Sequence, residues 1–140
     1  MKSILITLFL FLLSSSQYAQ TAEEAQSLHD KGREYFNAGK VAEGREYTLK
    51  AMEMRKTLFG EVSEAYINSL NNYALSFSME KENDKAIELQ KKVLQLCDKL
   101  PKPHKNIGLY TMNMGRYYYL KDDKDNAIKY WEKALPLVEK

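Results

Sequence analysis

The residues of this chain that could do acid–base or metal chemistry are few. His29 and His104 are the only two histidines and Cys97 is the only cysteine. His29 is followed directly by Asp30, but successive residues on a helix point about 100° apart and do not form a catalytic dyad. No Gly-rich phosphate loop, no nucleophile motif and no paired metal-ligand spacing occurs in the 140 residues. The run Lys121-Asp122-Asp123-Lys124-Asp125 mixes both signs and reads as a solvated turn. Cys97 stands among Val93, Leu94, Leu96 and Leu100, which predicts a small buried hydrophobe rather than a reactive thiol. A single cysteine also excludes an internal disulfide. These observations predict no enzyme activity, no cofactor and no metal.

The elements that must position the remaining side chains repeat with a period of 41 to 42 residues. Gly32, Ala74 and Gly115 are related in this way, and so are Gly44, Ala86 and Ala127. Around them recur the aromatics Tyr35, Phe77 and Tyr118 and the small apolar residues Ala51, Val93 and Ala134. A period in this range marks stacked supersecondary units rather than one globular core. No stretch alternates with period two, and punctuation divides the chain into three helix pairs. The pairs are expected over about 22–38 and 41–57, then 64–81 and 84–99, then 105–120 and 125–135. Pro101 and Pro103 close the fourth helix, and Pro136 is expected to end or kink the sixth near Leu135. Ser63 and Asn83 are expected to be N-caps, followed by Glu64 and Asp84 where the helix dipole favours negative charge. A mid-helix glycine costs about 1 kcal/mol against alanine. Gly32, Gly44 and Gly115 therefore imply backbones that approach closely enough to outweigh that cost.

Residues 1–19 have a different character. Lys2, the apolar run Ile4–Leu13, a short polar stretch and Ala19 follow the order of a secretory signal peptide, and a run of ten residues is shorter than the roughly 20 a spanning helix needs. Cleavage after Ala19 leaves Gln20 as the first residue; the alternative is an uncleaved anchor. The Ala-Gln ending resembles bacterial export signals, especially Gram-negative ones, so the protein is expected to be periplasmic or secreted, with no stable membrane span after cleavage. The sequence carries 21 basic and 19 acidic residues. Without Lys2 the charges almost cancel, which argues against nucleic acid as a partner.

The spacing of small, aromatic and small residues is similar to the tetratricopeptide repeat, in three copies over about 25–66, 67–107 and 108–140. The longer period resembles the kinesin light chain subtype. The closest correspondence is Arg55, Phe59-Gly60 and Ser69-Leu70-Asn71-Asn72-Tyr73-Ala74. Departures are Ser63-Glu64 and His104-Lys105 in the connecting loops, and Thr48 and Gln90 where only Trp131 keeps the aromatic of the second helix. The resemblance implies an all-α, right-handed solenoid after the signal peptide, in which the first helix of each pair lines a concave groove. Carried across, the groove positions include Gln26, His29, Asp30 and Arg33, then Asn68, Asn71, Asn72 and Leu75, then Leu109, Met112, Asn113 and Arg116. Tyr119, with Phe36 at the equivalent place, is expected to offer apolar contact there.

Asn72 and Asn113 share a repeat position at which the subtype's asparagines bond an extended peptide backbone, a task suited to an amide with donor and acceptor. The basic residues of a carboxylate clamp are missing, since Leu109 and Asn113 stand where they are required. The function implied is non-enzymatic binding of a peptide or partner protein. Two alternatives are a docking portion of a larger exported regulator and self-association through the last helix, whose Tyr130, Ala134, Leu137 and Val138 lack a covering element.

Overall fold

The computed structural model describes residues 21–138. The segment read as a signal peptide lies outside these described residues. Six helices follow one another: α1 over 21–37, α2 over Val41–Phe59, α3 over Glu64–Met79, α4 over Asn83–Cys97, α5 over Ile107–Leu120 and α6 over Lys124–Val138. No strand occurs among the described residues. From α2 onward each helix packs on the next in sequence, and α3 also touches α5. The molecule is an α-solenoid of helix pairs, with the first helices side by side.

The turns are set by local chemistry. Gly39 and Gly60 have φ of 73° and 81°, a region where a side chain is strained, and they close α1 and α2. Ser63 acts as expected, its Oγ accepting from the Tyr66 N–H at 3.3 Å. Asn83 does not. Glu82 takes the N-cap place and Asn83 is the first residue of α4. Its side chain instead accepts from Ser78 Oγ at 3.1 Å and donates to the Leu120 carbonyl at 3.3 Å, tying α3 and α5 to α4. A long-range bond has outcompeted the local cap.

Pro136 departs from expectation in the same way. The sixth helix continues through it to Val138. A proline there removes one backbone donor, and packing offsets that loss. Gly108 at the start of α5 lies so close to the end of α6 that an added Cβ would sit 2.6 Å from Val138 Cγ1 and 2.9 Å from the Leu137 carbonyl. The last turn is held against α5. At the other loop, α5 begins at Ile107 rather than at 105, because His104 Nδ1 accepts the Asn106 N–H at 3.0 Å and ends the irregular stretch.

The repeating small residues lie where helices cross. A Cβ on Gly44 would meet the Phe36 ring at 2.6 Å and the Gly32 carbonyl at 2.9 Å, and one on Gly115 would meet the Ala127 carbonyl at 3.0 Å and the Trp131 ring. Ala51, Ala74, Ala86, Val93, Ala127 and Ala134 are buried. Tyr35 and Tyr118 are half-buried and stack on Tyr47 and Tyr130 with ring centres 5.2 and 5.5 Å apart. Phe77 takes the Arg45 guanidinium over its face at 4.1 Å, and the same Arg45 donates to Ser76 Oγ at 2.9 Å and pairs with Glu80. Between the pairs run two apolar seams. One joins Tyr66, Ile67 and Leu70 to Val93, Leu96, Cys97 and Tyr110. The other joins Ala74, Ala86 and Ile87 to Met114 and Tyr117.

Candidate functional site

The first helices present their side chains in a continuous polar ladder. On α1, His29 is enclosed at 8% exposure. Its Nδ1 lies 3.2 Å from Ser69 Oγ and its Nε2 3.4 Å from Asn72 Nδ2, both on α3. An amide N–H can only donate, so Nε2 accepts and the neutral ring keeps its proton on Nδ1 for Ser69. Desolvation first, and the nearby Arg55 second, lower the His29 pKa to about 4. Arg55 reaches from α2 to the same hydroxyl at 2.8 Å, to the Ala65 carbonyl at 3.2 Å and to Gln26 Oε1 at 2.6 Å. Gln26 in turn donates to Asp30 at 2.9 Å. His29 and Asp30 thus serve different partners and form no dyad.

The ladder continues between α3 and α5. Asn71 Oδ1 accepts from Asn113 at 3.0 Å and from Gln90 at 3.1 Å, while Gln90 also donates to the Tyr110 carbonyl at 2.9 Å. Asn68 Oδ1 accepts from Asn106 at 3.3 Å and from the Tyr110 hydroxyl. Six of the sequence-predicted groove residues come together here, counting Leu109. His29, Arg33, Asn68, Asn71 and Asn72, joined by Asn106, Leu109 and Tyr110, line a cleft of about 220 Å³. Asn72 and Asn68 are half-buried and Arg33 is exposed. Arg33 and Arg116 enter no ion pair among the described residues.

Other expectations change. His29 and Asn71 form the floor of the cleft rather than its open wall, since neither side chain is free for a ligand. Phe36 is buried against Gly44 and offers no contact surface, although Tyr119 at the equivalent place is 54% exposed. Asn113, Arg116 and Tyr119 lie outside the cleft, and Tyr119 tilts against Trp131 with centres 5.7 Å apart. Four residues of the site were not anticipated as such: Asn106 and Tyr110, which line the cleft and donate to Asn68, and Gln90 and Arg55, which brace it from beneath. In sequence Gln90 stands only where the repeat's aromatic is missing, and Arg55 only as part of the repeat motif. A long amide at a buried helix position was the only available signal for Gln90.

The titratable groups elsewhere are structural. Burial pushes the Cys97 thiol up to about 11, so it stays protonated. His104 is fully enclosed, its Nδ1 accepts the Asn106 N–H, and desolvation by burial lowers its pKa. No group of three acidic, His or Cys side chains able to hold a metal occurs among the described residues. No described helix is long and apolar enough to cross a membrane.

A solenoid of paired helices whose first members share a polar face is the architecture of a protein-binding scaffold. The family model for the tetratricopeptide repeat matches residues 23–99 and again 66–140, and the chain belongs to that family. Among solved structures it resembles BtubC (BKLC) from P. vanneervenii, at 18% identity and TM-score 0.77 over 93% of this chain and 53% of that one. Nearly identical TPR-like repeats assigned to a kinesin light chain of Podosopora anserina align at 18% identity and TM-score 0.73, over 85% of this chain and 57% of that one. The N-terminal domain of stress-induced protein-1 (STI-1) from C. elegans aligns at 16% identity and TM-score 0.65, over 84% and 86%. This chain therefore spans little more than half of the first two structures. Among curated proteins none matches it.

Proposed function

We propose that this protein is a non-enzymatic interaction module that holds an extended segment of a partner protein across the face made by α1, α3 and α5. The observation that carries this reading is the cleft in which Asn68 and Asn72 remain half-open above a floor of mutually bonded groups. Bonds below the surface fix the amides in place, so they meet a ligand without losing much side-chain freedom. An extended peptide backbone alternates donors and acceptors, which a row of carboxamides matches. Arg33 on α1 and the exposed Leu109 on α5 give the cleft a charged and an apolar flank. Nothing in the cleft supplies a nucleophile with a base beside it, and His29 is occupied and neutral.

The reading also includes export by residues 1–19 to the periplasm or the exterior. A pull-down from the cell envelope tests the binding. The wild-type protein is expected to retain a partner that the Asn72→Ala, Asn113→Ala variant loses while its helical circular dichroism is kept. An unchanged set of captured proteins would remove the groove from consideration. Cell fractionation with residues 2–19 deleted tests the export: the truncated protein is expected to stay in the cytoplasm.

A further inference from the structure

Neighbouring first helices are joined twice by the same bond. Asn72 and Asn113 share one repeat position, and His29 and Asn71 share the position before it, one copy earlier. Asn113 Nδ2 donates to Asn71 Oδ1 at 3.0 Å, and Asn72 Nδ2 lies 3.4 Å from His29 Nε2. Asn71 Nδ2 links the two junctions by donating to Asn72 Oδ1 at 3.5 Å. Every amide in this row donates towards α1, and the row ends on the one free lone pair of a neutral imidazole. The junction between α3 and α5 closes on an amide oxygen, which does not titrate. The junction between α1 and α3 closes on a nitrogen that does.

A proton on Nε2 leaves the Nδ1 bond to Ser69 Oγ intact but points a second N–H at the Asn72 N–H. Two donors cannot share one bond. The remedy is to turn the Asn72 amide over, so that its Oδ1 accepts from the charged ring. Asn72 can turn because it is half-buried and both of its bonds are long. Asn71 cannot follow, since its Oδ1 is pinned by Asn113 at 3.0 Å and by Gln90 at 3.1 Å. The bond between Asn71 and Asn72 then breaks, and Asn72 exchanges donor for acceptor at the wall of the cleft. The charges around the ring set when this happens. Arg55 acts on it from α2 and Asp30 and Arg33 from α1, while α3 adds only the uncharged Ser69 and Asn72. Burial first and Arg55 second oppose the proton, Asp30 favours it and Arg33 opposes it, and the outcome is a pKa of about 4. The ring lines the cleft, so a proton reaches it without unfolding of the chain.

We propose that His29 is a proton switch on the cleft: the neutral ring holds the Asn72 amide in the orientation that takes an extended segment, and the protonated ring turns the amide over and releases that segment. What is released rests on the binding proposed above; the turn of the amide does not.

Nitrogen NMR of the full chain tests the turn without any ligand. At pH 7 the His29 ring is expected to carry its proton on Nδ1, and a proton on Nε2 instead overturns the proposal. As the pH is lowered towards 4 and below, the side-chain amide signal of Asn72 should move with the midpoint of the His29 ring, while that of Asn113 moves far less. In His29→Asn, which copies the other junction, the Asn72 signal should lose that movement. An Asn72 signal that ignores the midpoint of the ring, or moves as far in His29→Asn, assigns the change to Asp30 and overturns the switch. So does loss of helical circular dichroism before the ring titrates. Release is read on the partner that the envelope pull-down retains at neutral pH. Between pH 7 and 4 the wild type should lose at least tenfold of it and His29→Asn less than twofold, whatever each retains at pH 7. Equal loss from both, with the movement of the Asn72 signal present, overturns the release. A captured set indifferent to Asn72→Ala, Asn113→Ala removes the groove reading and leaves the turn of the amide to the NMR result.

Discussion

At the scale of single residues the chain spends its polar side chains on one another. His29 is the clearest case, because a group that titrates near 6.5 when solvated is held neutral between Ser69, Asn72 and Arg55. With the folded pKa at about 4, the unfolded chain binds a proton that the folded chain refuses between those two values. Stability contributed by neutral His29 is therefore complete above pH 6.5 and is lost as pH falls towards 4. Thermal melts of wild type and His29→Gln across pH 4 to 7 should show a steeper acid loss for wild type. Parallel curves would mean that His29 is more solvated than its surroundings indicate. Gln90 makes the complementary point: its amide nitrogen bonds two repeats at once, and nothing in its neighbours along the chain announces it.

At the scale of helices the crossings depend on missing side chains. Gly44 faces the buried Phe36 ring and the Gly32 backbone, neither of which can move away cheaply. Overpacking a core costs about 1–3 kcal/mol, and alanine returns at most about 1 kcal/mol in helix propensity. Gly44→Ala should lower stability by about 1–2 kcal/mol in urea unfolding. Gly115→Ala should cost less, because the ring it meets belongs to Trp131, which is partly exposed and can turn aside. Equal costs at the two sites would argue that backbone contact, rather than the rings, sets the spacing. The continuation of α6 through Pro136 belongs to the same scale, since contact of Val138 with Gly108 supplies what the missing donor removes.

At the scale of the whole molecule stability is distributed unevenly along the solenoid. Helix α3 buries eight residues and α4 seven, whereas α6 buries only Ala127 and Ala134. In a linear array each unit is stabilised by the contacts it buries, so the helix that buries fewest residues opens first. Amide exchange followed by mass spectrometry should be fastest in α6 and slowest across α3 and α4. Uniform protection from α3 to α6 would contradict the gradient.

The sequence by itself determined the helix pairs, their period and the small residues at each crossing, because these follow from local periodicity and from how closely two backbones can approach. It also marked His29, Arg33, Asn68, Asn71 and Asn72 as one set. Only the tertiary structure decided that His29 and Asn71 are the floor of the cleft, that Asn83 bonds across helices instead of capping one, and that Phe36 is core while Tyr119 is surface. The reason is physical: those outcomes depend on bonds such as Asn113 to Asn71 and Asn72 to His29, between residues 42 and 43 apart. Their geometry exists only once neighbouring repeats have packed.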